Sequence, residues 1–292
     1  MLELRSHALR LLVRPEIGGA VARFDWLGGA QPVPVFRPWD GHGDDPNQHA
    51  CYPLVPWSNR LSGGGFEAGA RFWPIAANLP GEPYPIHGDG WQRRWTVAEQ
   101  APELVRLTLE SSEQPPYHYR GELTYEIAGP VLIMRLAIEH RGTVTTPYGL
   151  GFHPWLPRTP GTTLQAPART VWLETEDHLS GGAVPVAERP DWDFASERAL
   201  PLAWINNGFT GWDGRAAIRW SDRDVALAIT ADPMLSTYIL YSPAADAAFF
   251  CFEPVSHPVD AFHLAGSPGL HWLAPDERLA ASCRFTVRES RL

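Results

Sequence analysis

The chain has 292 residues, 44% of them hydrophobic, enough for one large domain with a sizeable core. A net charge of −9 argues against nucleic acid or an anionic membrane as the main partner. All 24 basic residues counted as Lys+Arg are arginine, so Schiff-base, pyridoxal-phosphate and P-loop chemistry, each needing a lysine, are excluded.

The N-terminus, "MLELRSHALRLLVRPEIGG", lacks the basic, apolar and small-residue succession of a signal peptide, and no apolar run reaches membrane-span length. A cytoplasmic location is expected. Cys51, Cys251 and Cys283 are odd in number and far apart, so neither a disulfide framework nor a CxxC metal site is indicated. Residues 28–48 are rich in Pro and Gly and read as a loop within one domain, 1–292, because strand-like sequence continues on both sides.

Period-2 alternation dominates the remainder. "LVRLTLES" (104–111), "ELTYEIA" (122–128), "VLIMRLAIEH" (131–140), "VALAIT" (225–230), "TYILY" (237–241) and "RFTVRE" (284–289) all read as strands. "AGP" between the second and third predicts a tight hairpin. "PVDAFHL" offers at most one helical turn. Many short strands with Gly 26 and Pro 29 as punctuation predict an all-β, two-layer sandwich. The 13 tryptophans are either packing in such a fold or surfaces for the C–H face of a sugar ring.

Four stretches hold polar residues that break the alternation. In "PWSNRLSGGGF", Asn59 and Arg60 precede a glycine turn. Arg60 is either a fork of donors for hydroxyl oxygens or a surface residue paired with a carboxylate. In "YPIHGDGWQRRW", His87 precedes Gly88 and Gly90, which allow close approach of another group or simply make a turn. In "PYGLGFHPWLPR", Gly149, Gly151 and Pro154 fix the backbone around His153, as a satisfied strand-end histidine or as a proton carrier. In "FFCFEPVSHPVDAFHL", Glu253 follows an apolar run that reads as a buried strand. A carboxylate there is costly unless it is paired, catalytic or already in solvent at the strand end.

Taken together and in this order, the four motifs resemble the aldose 1-epimerase (galactose mutarotase) family from about residue 59 to 264. The resemblance implies a galactose mutarotase-like β-sandwich, or supersandwich, of largely antiparallel strands with an open cleft on one sheet. It further implies interconversion of the α and β anomers of a free aldohexose, with Glu253 as general base and His153 as general acid. Arg60 and His87 would bind sugar hydroxyls or the ring oxygen, and Asn59 and Trp155, which stands where the family usually has Tyr, are further substrate-binding candidates. The family's hydroxyl-gripping aspartate corresponds to Asn206, with Asp213 nearby as a carboxylate able to stand in. No cofactor and no metal is implied, and the expected partner is a small aldose, bound by a monomer or homodimer.

Two neighbouring functions share the pattern. A hexose-6-phosphate 1-epimerase would need a cationic cluster, for which Arg93 and Arg94 are candidates. A catalytically silent sugar-binding module would need neither His153 nor Glu253. Ordinary side-chain values, about 4.3 for Glu and about 6.5 for His, predict a bell-shaped pH profile with a carboxyl on the acid limb and an imidazole on the alkaline limb.

Overall fold

Leu107, Leu123, Tyr125, Ile127, Leu132, Met134, Leu136 and Ile138 are all buried, so the alternation sends one face of each strand inward as read. The structure, a computed structural model, describes residues 1–290. Tyr119–Ala128 and Val131–His140 form the expected hairpin, Ala128 pairing with Val131 across Gly129 and Pro130, with Gly129 in the left-handed region. These two lie within a nine-stranded antiparallel sheet that runs from Arg198–Ala199 to Thr96–Ala101.

A second sheet of eight antiparallel strands carries the site. In order along its edge come Ser180–Pro185, Thr170–Glu174, Ile205–Thr210, Thr237–Ser242, Phe249–Val255, Gly151–Phe152 and Pro53–Leu54, with Trp155–Pro157 also pairing to Phe249–Val255. Inward residues of both sheets join one apolar cluster, including Phe209, Tyr238, Phe252, Leu227, Ile229 and Phe285. A four-stranded N-terminal sheet, Leu2–Arg5 to Val33–Pro34, contributes to the same core through Leu4, Leu11 and Phe24. Among the described residues, helical structure is limited to three-residue 3-10 turns, one of them Ala261–His263 where a single turn is expected, and no helix is long and apolar enough to cross a membrane.

Alternation decides what the site sheet shows on each face. On Phe249–Val255, Phe250 and Phe252 point into the shared core, where Phe252 stacks on Tyr238 at 4.6 Å between ring centres. Cys251 and Glu253 therefore point to the opposite face. On the neighbouring strands Tyr241 pairs with Cys251 and Asn206 pairs with Tyr241, so these side chains stand on that same outer face. A smaller apolar cluster that includes Tyr52, Leu54, Ile86 and Trp91 packs on this outer face, through Ile239, the partner of Glu253, and Val255, one pleat along from it.

Candidate functional site

Strand register brings the two catalytic candidates together. Gly151 pairs with Val255 and Trp155 pairs with Cys251. Counting inward by one pleat from each pair sets His153 opposite Glu253. His153 Nε2 lies 3.4 Å from Glu253 Oε1. The flanking glycines are required by this close approach. A Cβ on Gly151 would meet Val255 Cγ1 at 2.6 Å, and one on Gly149 would meet His257 Cδ2 at 2.2 Å.

The pair is almost fully shielded: His153 is 6% exposed and Glu253 3%. Glu253 is thus not a solvated residue at a strand end. Burial disfavours the charged form of each group. It raises the Glu253 carboxyl to about 8, against the pull of Arg60. It lowers His153 to about 3, and the positive charge of Arg37 acts in the same direction. Ordinary titration is therefore not what this setting favours: burial favours a protonated carboxyl beside a neutral imidazole. Glu253 Oε2 and His153 Nδ1 are buried without a hydrogen-bond partner.

Aromatic rings clamp the imidazole. Tyr52 lies 4.6 Å from it and Trp155 stacks at 5.1 Å with an interplanar angle of 20°. The Arg37 guanidinium sits 4.0 Å from the Trp155 ring centre, an attraction that keeps the indole in place. Trp155 thus lines the pocket and also fixes the ring orientation of His153.

His87 and Asn59 are locked to each other. Both adopt left-handed φ, 62° and 61°, and the His87 N–H donates to Asn59 O at 3.0 Å. In return the Asn59 N–H donates to His87 Nδ1 at 2.9 Å. Since Nδ1 accepts, Nε2 carries the proton, and burial holds the ring well below the usual histidine range. His87 is a neutral donor on the pocket wall.

Arg60 combines the two roles open to it in the sequence. Nε and Nη2 form a two-pronged ion pair with Glu82, at 2.7 and 3.0 Å, while the residue still lines the pocket. Glu82 orients the guanidinium, and nothing in "LPGEPYP" signals that partnership. The rest of the fourth motif is supporting structure. His257 Nε2 accepts from the Ser58 N–H at 3.1 Å, and Asp260 accepts from the Ser62 N–H and hydroxyl at 2.9 and 2.7 Å. Those bonds hold the loop that carries Asn59 and Arg60.

Asn206 lines the pocket as expected, but Asp213 does not. Asp213 is exposed in the turn after Ile205–Thr210, where its carboxylate accepts from the Arg215 N–H at 2.9 Å. It is a turn-forming residue and cannot stand in for a hydroxyl-gripping aspartate. Sequence reading missed Glu174, His178, Trp204 and Tyr241. His178, Trp204 and Tyr241 line the outer end of the pocket, and Glu174 binds His178, Trp204 and Asn206. "ETEDH" looks like an ordinary polar turn, so only the fold reveals its position.

His153, Cys251 and Glu253 bring one potential ligand atom each within 4.8 Å of one another. Burial raises the Cys251 thiol well above its usual range, so the thiolate that a metal requires is disfavoured. Arg93 is held by Asp89 at 3.1 Å and lies near Glu113, and neither it nor Arg94 lines the pocket.

Comparison with known proteins follows the same lines. A family model described as aldose 1-epimerase matches residues 1–286. The Escherichia coli K12 protein YphB, which is uncharacterized, is 32% identical over 288 residues, 97% of each chain. A solved structure of a candidate aldose 1-epimerase from Escherichia coli K12 is 30% identical, covers 98% of both chains and superposes with a TM-score of 0.90. The structure of a GalM/aldose epimerase homologue from C. elegans covers 99% of each chain with a TM-score of 0.84 at 16% identity, a likeness of fold.

Proposed function

We propose that this chain, which belongs to the aldose 1-epimerase family, interconverts the α and β anomers of a free aldohexose such as glucose or galactose by acid–base ring opening. The observation that carries the reading is the buried pair of His153 and Glu253 at 3.4 Å, in a cleft also lined by His87 and by Arg60, which Glu82 orients. Opening a hemiacetal requires two proton movements: the C1 hydroxyl loses a proton and the ring oxygen gains one. Both oxygens are bonded to C1, so two adjacent groups that share a single proton can serve both. One member of the pair accepts as the other donates, and reclosure on the opposite face of the aldehyde reverses the exchange.

The family resemblance makes Glu253 the acceptor and His153 the donor. Burial alone places the proton on Glu253, so hydroxyls of the bound sugar and the Arg60 charge would have to draw the carboxyl toward its ionised form before that order holds. The proton count is the same in either order. His87 Nε2–H and Arg60 are the donors available to oxygen atoms that gain negative charge as the C–O bond breaks.

Polarimetry of freshly dissolved α-D-glucose and α-D-galactose tests the proposal. Glu253→Gln and His153→Ala are each expected to slow enzymatic loss of optical rotation by about 10²–10⁴-fold. Wild-type rates in either variant would refute the assignment. Glucose 6-phosphate should be a poorer substrate than glucose, because Arg93 and Arg94, the cations considered for a phosphate, stand outside the pocket lining.

A further inference from the structure

Glu174 sits where a strand departs from regular pairing. The register of Thr170–Glu174 against Ser180–Pro185 shifts between Trp172 and Glu174. The hairpin that follows holds His178 at φ 60°. This irregularity returns the turn over the strand and gathers three donors around one carboxylate. His178 Nδ1 lies 2.6 Å from Oε1, Trp204 Nε1 donates to Oε2 at 2.6 Å, and Asn206 Nδ2 donates to Oε1 at 2.5 Å. A carboxylate can only accept, so the amide orientation of Asn206 is determined: Nδ2 faces Glu174 and Oδ1 is the polar atom left for the pocket.

Position relative to the reacting carbon gives this cluster its meaning. Across the intervening strand Thr237–Ser242, Asn206 is in register with Tyr241 and Cys251, one pleat along from Glu253, which is in register with Ile239 and Gly208. Two strand spacings are roughly 10 Å. Asn206 and Trp204 line the same pocket as the His153–Glu253 pair, so a pyranose bound with C1 at that pair would have its far side available to them.

We infer that Glu174 is the specificity-determining carboxylate of this site, a positioning residue that acts through Asn206 by fixing its Oδ1 as an acceptor for a distal sugar hydroxyl. The inference rests on the anomerase reading and names the part of the site that selects the sugar. An aspartate at this position would grip a hydroxyl directly; here the charge stands one strand further out and orients an amide. Restoring the aspartate should therefore harm the site, because two carboxylates would then meet across a hydrogen-bond distance.

The test compares wild type, Glu174→Gln, Asn206→Asp and the double variant Asn206→Asp/Glu174→Gln, using polarimetric kinetics on D-glucose, D-galactose and D-xylose. Glu174→Gln is expected to raise KM at least about tenfold, to keep kcat within about threefold, and to change the ratio of kcat/KM between glucose and galactose. Asn206→Asp should raise KM by a similar factor. In the double variant the amide and the carboxylate have exchanged places, so the introduced amide can donate to the introduced carboxylate and reverse the original bond. At least about half of the lost affinity on a logarithmic scale should then return. KM and sugar preference of Glu174→Gln within about twofold of wild type would overturn the inference, as would a double variant no better than either single one. If wild type accelerates no anomerisation, the functional reading fails. The inference is then decided by sugar titrations followed through Trp fluorescence, where equal affinities for wild type and Glu174→Gln overturn it and weaker binding by the variant supports it.

Discussion

Burial of His153 beside Glu253 favours the neutral form of each group, so the pair is expected to hold a single proton across a wide range of pH. Below about 3 both groups are protonated and no acceptor remains; above about 8 both are bare and no donor remains. The initial rate is therefore expected to be level between about pH 4 and about pH 7 and to fall through an alkaline limb near 8. Initial-rate polarimetry across that range checks this, with the uncatalysed rate subtracted at each pH. An alkaline limb near 6.5 would instead assign the limb to an ordinary imidazole. The residues themselves were legible: Glu253, His153, His87, Arg60, Asn59, Trp155 and Asn206 stand out in the sequence and share one pocket. Their protonation was not, since ordinary values describe groups in water and these have been removed from it. Asp213 is misread because proximity along the chain is taken for proximity to the pocket.

At the level of strands and turns, close backbone approach shapes the pocket, and glycine is what permits it. Gly88 has φ 64°, and a Cβ there would lie 2.3 Å from Pro56 Cδ and 2.4 Å from Val55 O. Gly88→Ala is expected to destabilise the fold by roughly 2–4 kcal/mol, from left-handed strain together with overpacking. Gly182→Ala, with nothing within 4 Å of the added carbon, should stay within about 0.5 kcal/mol. Urea denaturation measures both, and similar losses in the two variants would contradict the clash. The strands themselves were readable where one face is buried and the other wet, as at Leu104–Ser111, which matches its predicted bounds. The irregularity before Glu174 was hidden because a register shift depends on the partner strand, which sequence alone does not supply. The same reason conceals Glu82, whose only mark in the sequence is a carboxylate among prolines.

For the whole molecule, one apolar cluster joins residues of both large sheets and of the N-terminal sheet. A single domain spanning the chain should lose these contacts together. Guanidinium unfolding followed by far-UV circular dichroism and by Trp fluorescence is expected to give one coincident transition. Trp57, Trp95 and Trp220 lie within that shared cluster and report on it. Two separated midpoints would divide the chain into independent units. The sandwich class was evident from period-2 patterning, whereas the order of strands in each sheet was not, because pairing between distant segments leaves no local trace. Phe249–Val255 serves both the interior and the cleft, with phenylalanines and the Glu253 carboxyl on alternate positions. Parity is thereby imposed on its evolution: a single-residue insertion ahead of Glu253 would exchange the two sets, stranding an acid among aromatics and an aromatic in the cleft. A length change within this strand therefore keeps both faces only in a step of two, or where a bulge absorbs the extra residue.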